Sequence, residues 1–259
     1  MSASGLRVLV LGNSNTRTAG DRHVTWPEHV RRDVLAQAGV ALETTDRPFY
    51  AEAPGAAEYA RRQVERFQPQ IVIVAASCVA VAAPMASVRL KERFGRAADP
   101  VIRVGEMVDR LLLGGAQPGR TAYIALHRAV QRAVGLAPTT TLEELVSSYR
   151  ETFRVLARAE GLRQVVVAST TQYGKNARRR FPASTGIVVA FNEEVRKAAT
   201  AQHFAWADRD RALDGDGHPG REACIDVDGI HMTDLGQRRM ANGVLEALLP
   251  VLGSAKDPA

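Results

Sequence analysis

Short continuous apolar runs alternate with stretches of helical periodicity along almost the whole chain. Arg7-Val8-Leu9-Val10-Leu11 is a β-branched and leucine run that stops at Gly12, the pattern of a buried parallel strand. Thr25-Trp26-Pro27-Glu28 has the order of a capping box with proline in the first turn, and Val30, Val34 and Ala38 follow at helical spacing up to Gly39. A weaker strand is predicted near 42–47, and Pro54-Gly55 leads into a helix with the stripe Tyr59, Ala60, Val64 and Phe67. Residues 71–76 are apolar on both alternating faces, so helices must cover both sides of that strand. Thr141-Leu142-Glu143-Glu144 is a second capping-box sequence, opening a helix that carries Leu145, Tyr149, Phe153 and Leu156. Val165-Val166-Val167-Ala168 predicts the next strand, 169–186 a polar loop, 187–202 a helix and 204–207 a last short strand. Met240, Val244 and Leu248 mark the final helix.

This alternation predicts an α/β fold: three layers, α/β/α, around a mostly parallel central sheet. Ligands in such sheets sit at the C-terminal edges of the strands, so chemistry is sought in the residues just after each strand. A strand-to-strand crossover needs only one helix. The stretch of about 85–138 carries two helical stripes, Val104, Val108, Leu111 and Leu112, then Ile124, His127, Val130 and Val134, and therefore predicts a helical, cap-like insertion after the third strand. The chain of 259 residues, 46% apolar, is expected to form one domain over 1–253, with a tail at 254–259.

Cys78 and Cys224 form neither a multi-bridge disulfide framework nor a metal-binding spacing. No apolar run approaches the roughly 20 residues of a membrane span, and none has the layout of a signal peptide. A soluble, cytoplasmic protein without membrane association is the expectation. The net charge of +6 raises the possibility of nucleic acid. Between Met85 and Ala137, however, nine basic residues against four acidic ones are spread through helical patterns without interleaved aromatics, the look of a solvated helix face. No nucleic-acid partner is expected.

Two segments carry candidate chemistry. The first strand runs into Gly12-Asn13-Ser14-Asn15-Thr16, which puts a serine hydroxyl at the strand tip beside a turn-permitting glycine. It is neither a G-x-G-x-x-G fingerprint nor a G-x-S-x-G elbow, since Thr16 stands where the second glycine would be; taken alone it also fits a Ser/Asn turn that bonds its own backbone. The second segment, between the last strand and the last helix, is Asp226-Val227-Asp228-Gly229-Ile230-His231-Met232-Thr233-Asp234. Asp228 and His231 are three apart, which in a tight turn lets the carboxylate accept from imidazole Nδ1 and leaves Nε2 free to take a proton. Its plainer reading is an Asp turn with a surface histidine ahead of a Thr233-capped helix.

Together the two segments resemble the SGNH (GDSL-type) hydrolase superfamily, which carries its serine in a Gly-Asp-Ser block after strand one and a D-x-x-H block before the last helix. The resemblance covers nearly the whole chain and implies a flavodoxin-like sheet, no metal and no organic cofactor. It implies Ser14 as nucleophile, His231 as general base and then acid, and Asp228 as its orienter. Ser14 would be acylated by an ester or acetylated small molecule and released by water. Asn13 departs from the family's Asp without touching the nucleophile. For the oxyanion hole the resemblance implies the Ser14 amide, a glycine for which Gly55 can serve, and an asparagine after the third strand. There the chain reads Ser77-Cys78-Val79-Ala80, with Val79 near the expected asparagine, so Ser77 is the expected stand-in and Asn15 a second candidate donor.

Lys175, Arg178, Arg179 and Arg180 follow the fourth strand, where Arg178, like Asn15, is a candidate substrate contact. Asp214-Gly215-Asp216-Gly217-His218 alternates oxygen ligands but lacks the glycine and glutamate of a calcium loop. Cys78 follows a buried strand with no local base, His127 lies on an apolar stripe, and His23, His29 and His203 have no acid-base spacing. The sequence leaves open transfer of the acyl group to an alcohol or amine from a phosphate-bearing donor, and a noncatalytic binding module on the same fold. The oligomeric state is open as well.

Overall fold

A computed structural model describes residues 5–16, 24–100, 103, 135–215, 219–226 and 228–253. Five parallel strands form one sheet in the order β2-β1-β3-β4-β5: β1 Leu6–Gly12, β2 Leu42–Pro48, β3 Ile71–Ala75, β4 Gln164–Ala168 and β5 Ala205–Ala207. The register sets Val8 beside Ile71 and Leu11 beside Val74, so β1 lies between β2 and β3 with its tip at Gly12. The order steps outward from β1 in both directions, which makes the C-terminal edge beside β1 the switch point where a site belongs.

The alternation of side chains along the strands assigns the two covering layers. Val8, Val10, Ile71, Ile73 and Val166 join Trp26, Val30 and Val34 of α1 (Trp26–Ala38) and Met240, Val244 and Leu248 of the last helix, Asp234–Gly253, in one core cluster. The other alternating set, Leu9, Leu11, Val72, Val74, Val165 and Val167, is equally buried. On that side α2 (Ala56–Phe67) packs on the helix Leu142–Ala157, which packs in turn on Ser184–Thr200. Tyr149 is the hub there, with rings of Phe49, Phe153 and Phe191 5.4–6.1 Å from its own.

The chain divides into two compact units, Met1–Cys78 with Leu142–Ala259, and Val79–Thr141. Within the second, α3 (Val79–Ala82) and α4 (Ala86–Phe94) are described, and Met85 pairs with Ala137 in a short antiparallel bridge. Numbering continues in chain order with α5 Leu142–Ala157, α6 Lys175–Arg180, α7 Ser184–Thr200, α8 Arg209–Ala212 and α9 Asp234–Gly253. The insertion stripes at 104–112 and 124–134, with His127, lie outside the described residues, as do His23, 216–218, Val227 and the tail at 254–259. Among the described residues no helix is long and apolar enough to cross a membrane.

Two local expectations are corrected. The polar stretch 169–186 contains α6 and the start of α7, because Ala177 buries and Ser184 is drawn inside ahead of the apolar stripe. The capping box at Thr25 is not made: the Thr25 side chain forms no cap bond, and Glu28 turns instead to Arg31 and Arg32. A different free amide of the helix start is met from the opposite helix, where buried Gln237 Oε1 accepts from the Trp26 amide at 3.0 Å. This ties the start of α1 to α9.

Candidate active site

The segment after β1 is a compact turn. Asn13 Oδ1 accepts from the Asn15 amide at 3.0 Å, and the Asn13 carbonyl accepts both the Thr16 amide and, at 2.6 Å, the Thr16 hydroxyl. Thr16 is buried against Gly12 so closely that a Cβ there would stand 2.1 Å from Thr16 Cγ2, so only glycine fits at the tip. The result is a 3-10 turn, Ser14–Thr16, with the Ser14 side chain on its exposed side. Among the described residues nothing accepts from the Ser14 amide. Asn13 thus performs the turn-closing bond that an aspartate could make, without the charge.

The second segment is held from both ends. Its start forms a bridge between Ile225 and Met232, with the Asp226 amide on the His231 carbonyl and the Thr233 amide on the Cys224 carbonyl. Gly229, at φ 80, lies so close to Ala177 that a Cβ would sit 2.5 Å from its amide, and the Gly229 carbonyl accepts from Gly174 at 2.8 Å. Gly236, in the first turn of α9, rests on the Cys224 carbonyl, where a Cβ would be 2.0 Å away. Thr233 supplies a capping bond to the Gly236 amide.

Inside this frame Asp228 Oδ1 accepts the Ile230 and His231 amides at 2.8 and 2.9 Å, while its Oδ2 accepts from His231 Nδ1 at 2.5 Å. With the Nδ1 proton so held, Nε2 turns its lone pair to Ser14 Oγ at 3.1 Å. Burial pushes the Asp228 carboxyl up, but the bonds from His231 and the two amides outweigh it and hold it down at about 2. The bond to Asp228 raises the His231 pKa above the usual imidazole value against partial burial, with the charges of Asp228 and Asp226 adding to it. Ser14, His231 and Asp228 therefore lie in one hydrogen-bonded line across segments more than two hundred residues apart.

The other candidates fare differently. The Asn15 side chain is engaged with the histidine segment: its Nδ2 donates to the Ile230 carbonyl at 3.4 Å and its Oδ1 accepts from the Met232 amide at 3.3 Å. Its side chain is thus directed at the histidine segment, because the two loops approach closely. Arg178 is likewise engaged rather than open, donating to the Tyr173 carbonyl and to Glu222 at 2.8 and 2.7 Å. Gly55 is exposed at the start of α2 with φ 75. The Ser77 amide donates to the hydroxyl of buried Tyr149 at 2.9 Å, so that amide is spoken for. Cys78 is fully buried and its thiol is pushed up to about 12 by desolvation, which makes it inert packing. Asp214 pairs with Arg221. His29 lies beside Arg238 on α9, and His203 sits at φ 58 just after α7. Among the described residues no group of three or more His, Cys, Asp or Glu could hold a metal ion.

Sequence reasoning missed Arg209. It is fully buried, and its guanidinium donates to the Ser169, Ala76 and Ala168 carbonyls at 2.7, 3.2 and 3.3 Å, at the C-terminal ends of β3 and β4. A lone arginine in a helix gives no signal of this.

No family model matches the chain. A search of curated proteins found no match. Among solved structures it is similar to a protein from Parabacteroides merdae ATCC 43184 described as GDSL-like, at 14% identity and TM-score 0.57 over 93% of this chain and 94% of that one. It is similar also to Axe2, an acetylxylan esterase from Geobacillus stearothermophilus, at 11% identity and TM-score 0.56 over 96% and 95% of the two chains. A family 3 carbohydrate esterase from Clostridium thermocellum matches at 12% identity and TM-score 0.53 over 98% and 100%. These alignments run over more than nine-tenths of each chain, and with its parallel sheet the chain has the α/β/α fold of the SGNH-type hydrolases.

Proposed function

We propose that the protein is a serine esterase that cleaves an ester or acetylated small molecule through a covalent acyl-enzyme on Ser14. The observation that carries this reading is the pair of bonds on one imidazole, Asp228 Oδ2 to Nδ1 at 2.5 Å and Nε2 to Ser14 Oγ at 3.1 Å. Esterases among the structural neighbours support the reaction class.

In the first half-reaction Ser14 Oγ attacks the ester carbonyl carbon while His231 Nε2 takes the hydroxyl proton. Asp228 stays ionised and stabilises the imidazolium. The tetrahedral oxyanion collapses, the bond to the alcohol breaks, and His231 returns its proton to the leaving oxygen. Water then gives a proton to His231 and attacks the acyl carbon; the acid departs and Ser14 Oγ regains its proton. The Ser14 amide, without another acceptor among the described residues, is the first oxyanion donor.

A fluorophosphonate probe tests this. The intact protein should be labelled on the peptide that contains Ser14, and Ser14→Ala should not be labelled. Labelling at another residue, or equal labelling of the two proteins, overturns the reading. Product analysis with added alcohols and amines separates hydrolysis, which releases free acid alone, from acyl transfer.

A further inference from the structure

We propose that Asn15 is a positioning residue that sets the distance between nucleophile and base, by clamping the backbone on both sides of His231. The inference rests on the serine-esterase reading for its catalytic meaning, although the clamp itself is independent of it. Asn15 follows Ser14 directly, and its side chain reaches the two residues that flank His231: Nδ2 to the carbonyl of Ile230, and Oδ1 from the amide of Met232. One amide group thereby satisfies a carbonyl on one side of the base and an N–H on the other.

The geometry of Asn15 is itself preset. Its own amide donates to Asn13 Oδ1, which fixes the 3-10 turn from which the side chain projects. Asparagine suits this place because a single planar group must both donate and accept. Leucine or alanine offers neither, and aspartate cannot donate.

The Asp228–His231 pair does not depend on Asn15. Asp228 builds its own turn with the Ile230 and His231 amides, so the imidazole stays oriented toward its carboxylate if Asn15 is removed. What is lost is the tie between that turn and the turn bearing Ser14. The Ser14–His231 bond is a single 3.1 Å contact between half-exposed side chains, and it has little strength of its own to hold two loops together. A displacement of about 1 Å in such a contact can cost about 10²-fold in rate.

The test uses the full chain with Asn15→Ala and Asn15→Asp, read by p-nitrophenyl acetate turnover, by fluorophosphonate labelling and by amide hydrogen exchange at Met232. Asn15→Ala should lower kcat and the labelling rate about 10- to 100-fold with KM little changed. Its acid limb should stay in place, because the charges that face His231 are those of Asp228 and Asp226, which it leaves untouched. Asn15→Asp keeps the acceptor for Met232 but adds a negative charge near the imidazole, so it should retain part of the rate and shift the acid limb upward. Protection of the Met232 amide should fall in Asn15→Ala and persist in Asn15→Asp. Parental kcat, or an unchanged Met232 amide, in Asn15→Ala would overturn the proposal. A fall in rate with a shifted acid limb in Asn15→Ala would also overturn it, by marking general disruption of the site. Should the unmodified protein fail to label at Ser14, the esterase reading falls, while the exchange at Met232 still decides whether the clamp exists.

Discussion

At the scale of single residues, the chemistry turns on how Asp228 divides its bonds. One oxygen is saturated by two backbone amides and the other is left for the imidazole, so the carboxylate stays ionised and the ring stays in one tautomer. In the proposed mechanism His231 is the base, a task it can perform only when neutral, and its pKa is raised by Asp228. Activity should therefore fall as pH drops through a value above the ordinary 6.5 of imidazole, and the acid limb of kcat/KM against pH should lie there. Asp228→Asn removes the cause of the rise. Its limb should move down, and kcat should fall on the order of 10⁴-fold through loss of the correct tautomer. The linkage to stability has opposite signs for the two partners. The raised His231 contributes stability that is complete below pH 6.5 and disappears as pH rises through its folded value, whereas the lowered Asp228 contributes stability present above its ordinary 3.8 and lost as pH falls toward about 2. The Asp-x-x-His spacing made this pair legible in the sequence, since a three-residue separation closes on itself. The contacts of Asn15 were not legible, because its partners, Ile230 and Met232, lie in a segment that only the fold brings near.

At the scale of elements, α9 is seated by contact of backbone on backbone. Alanine in place of a helical glycine ordinarily gains about 0.5–1 kcal/mol. Gly186, in the first turn of α7, has nothing within 4 Å of where a Cβ would stand, so Gly186→Ala should raise the unfolding free energy by that amount. Gly236→Ala should do the reverse, losing about 1–3 kcal/mol, because its Cβ would overlap the Cys224 carbonyl and push α9 away from the bridge that carries His231. Urea unfolding of both variants checks the contrast, and Gly236→Ala should lose activity as well. Among the described residues, sequence periodicity found all the strands and placed α1, α2, α5 and α9 well, since each has a stripe or an apolar run to announce it. The helix α6 escaped because its six residues are mostly basic and only Ala177 is buried. The unused cap at Thr25 shows the converse: a local signal goes unmade where Glu28, its second half, is taken by Arg31 and Arg32, and the helix start is tied to α9 by Gln237 on the Trp26 amide instead.

At the scale of the whole molecule, the sheet order was implied only as a class, and the order β2-β1-β3-β4-β5 is what puts the serine turn and the histidine segment at one edge. Below that edge lies Arg209, which burial draws down to a pKa of about 10 and which therefore remains charged at neutral pH among strand-end carbonyls. Arg209→Met would keep the bulk and remove the donors, leaving the Ser169 and Ala76 carbonyls short of a partner. Thermal unfolding should show a loss of roughly 1–3 kcal/mol. No sequence pattern disclosed this residue, because its role depends on β3, β4 and α8 meeting at one point. The central claim is that one hydroxyl at the tip of the first strand becomes covalently acylated with the help of an imidazole from the other end of the chain. Acid-quenched peptide mass mapping during turnover of p-nitrophenyl acetate measures this most directly. The account predicts an acetyl group on Ser14 that is present in the unmodified protein and absent or far slower to form in His231→Ala; a protein that turns over the ester with Ser14 never acetylated would contradict it.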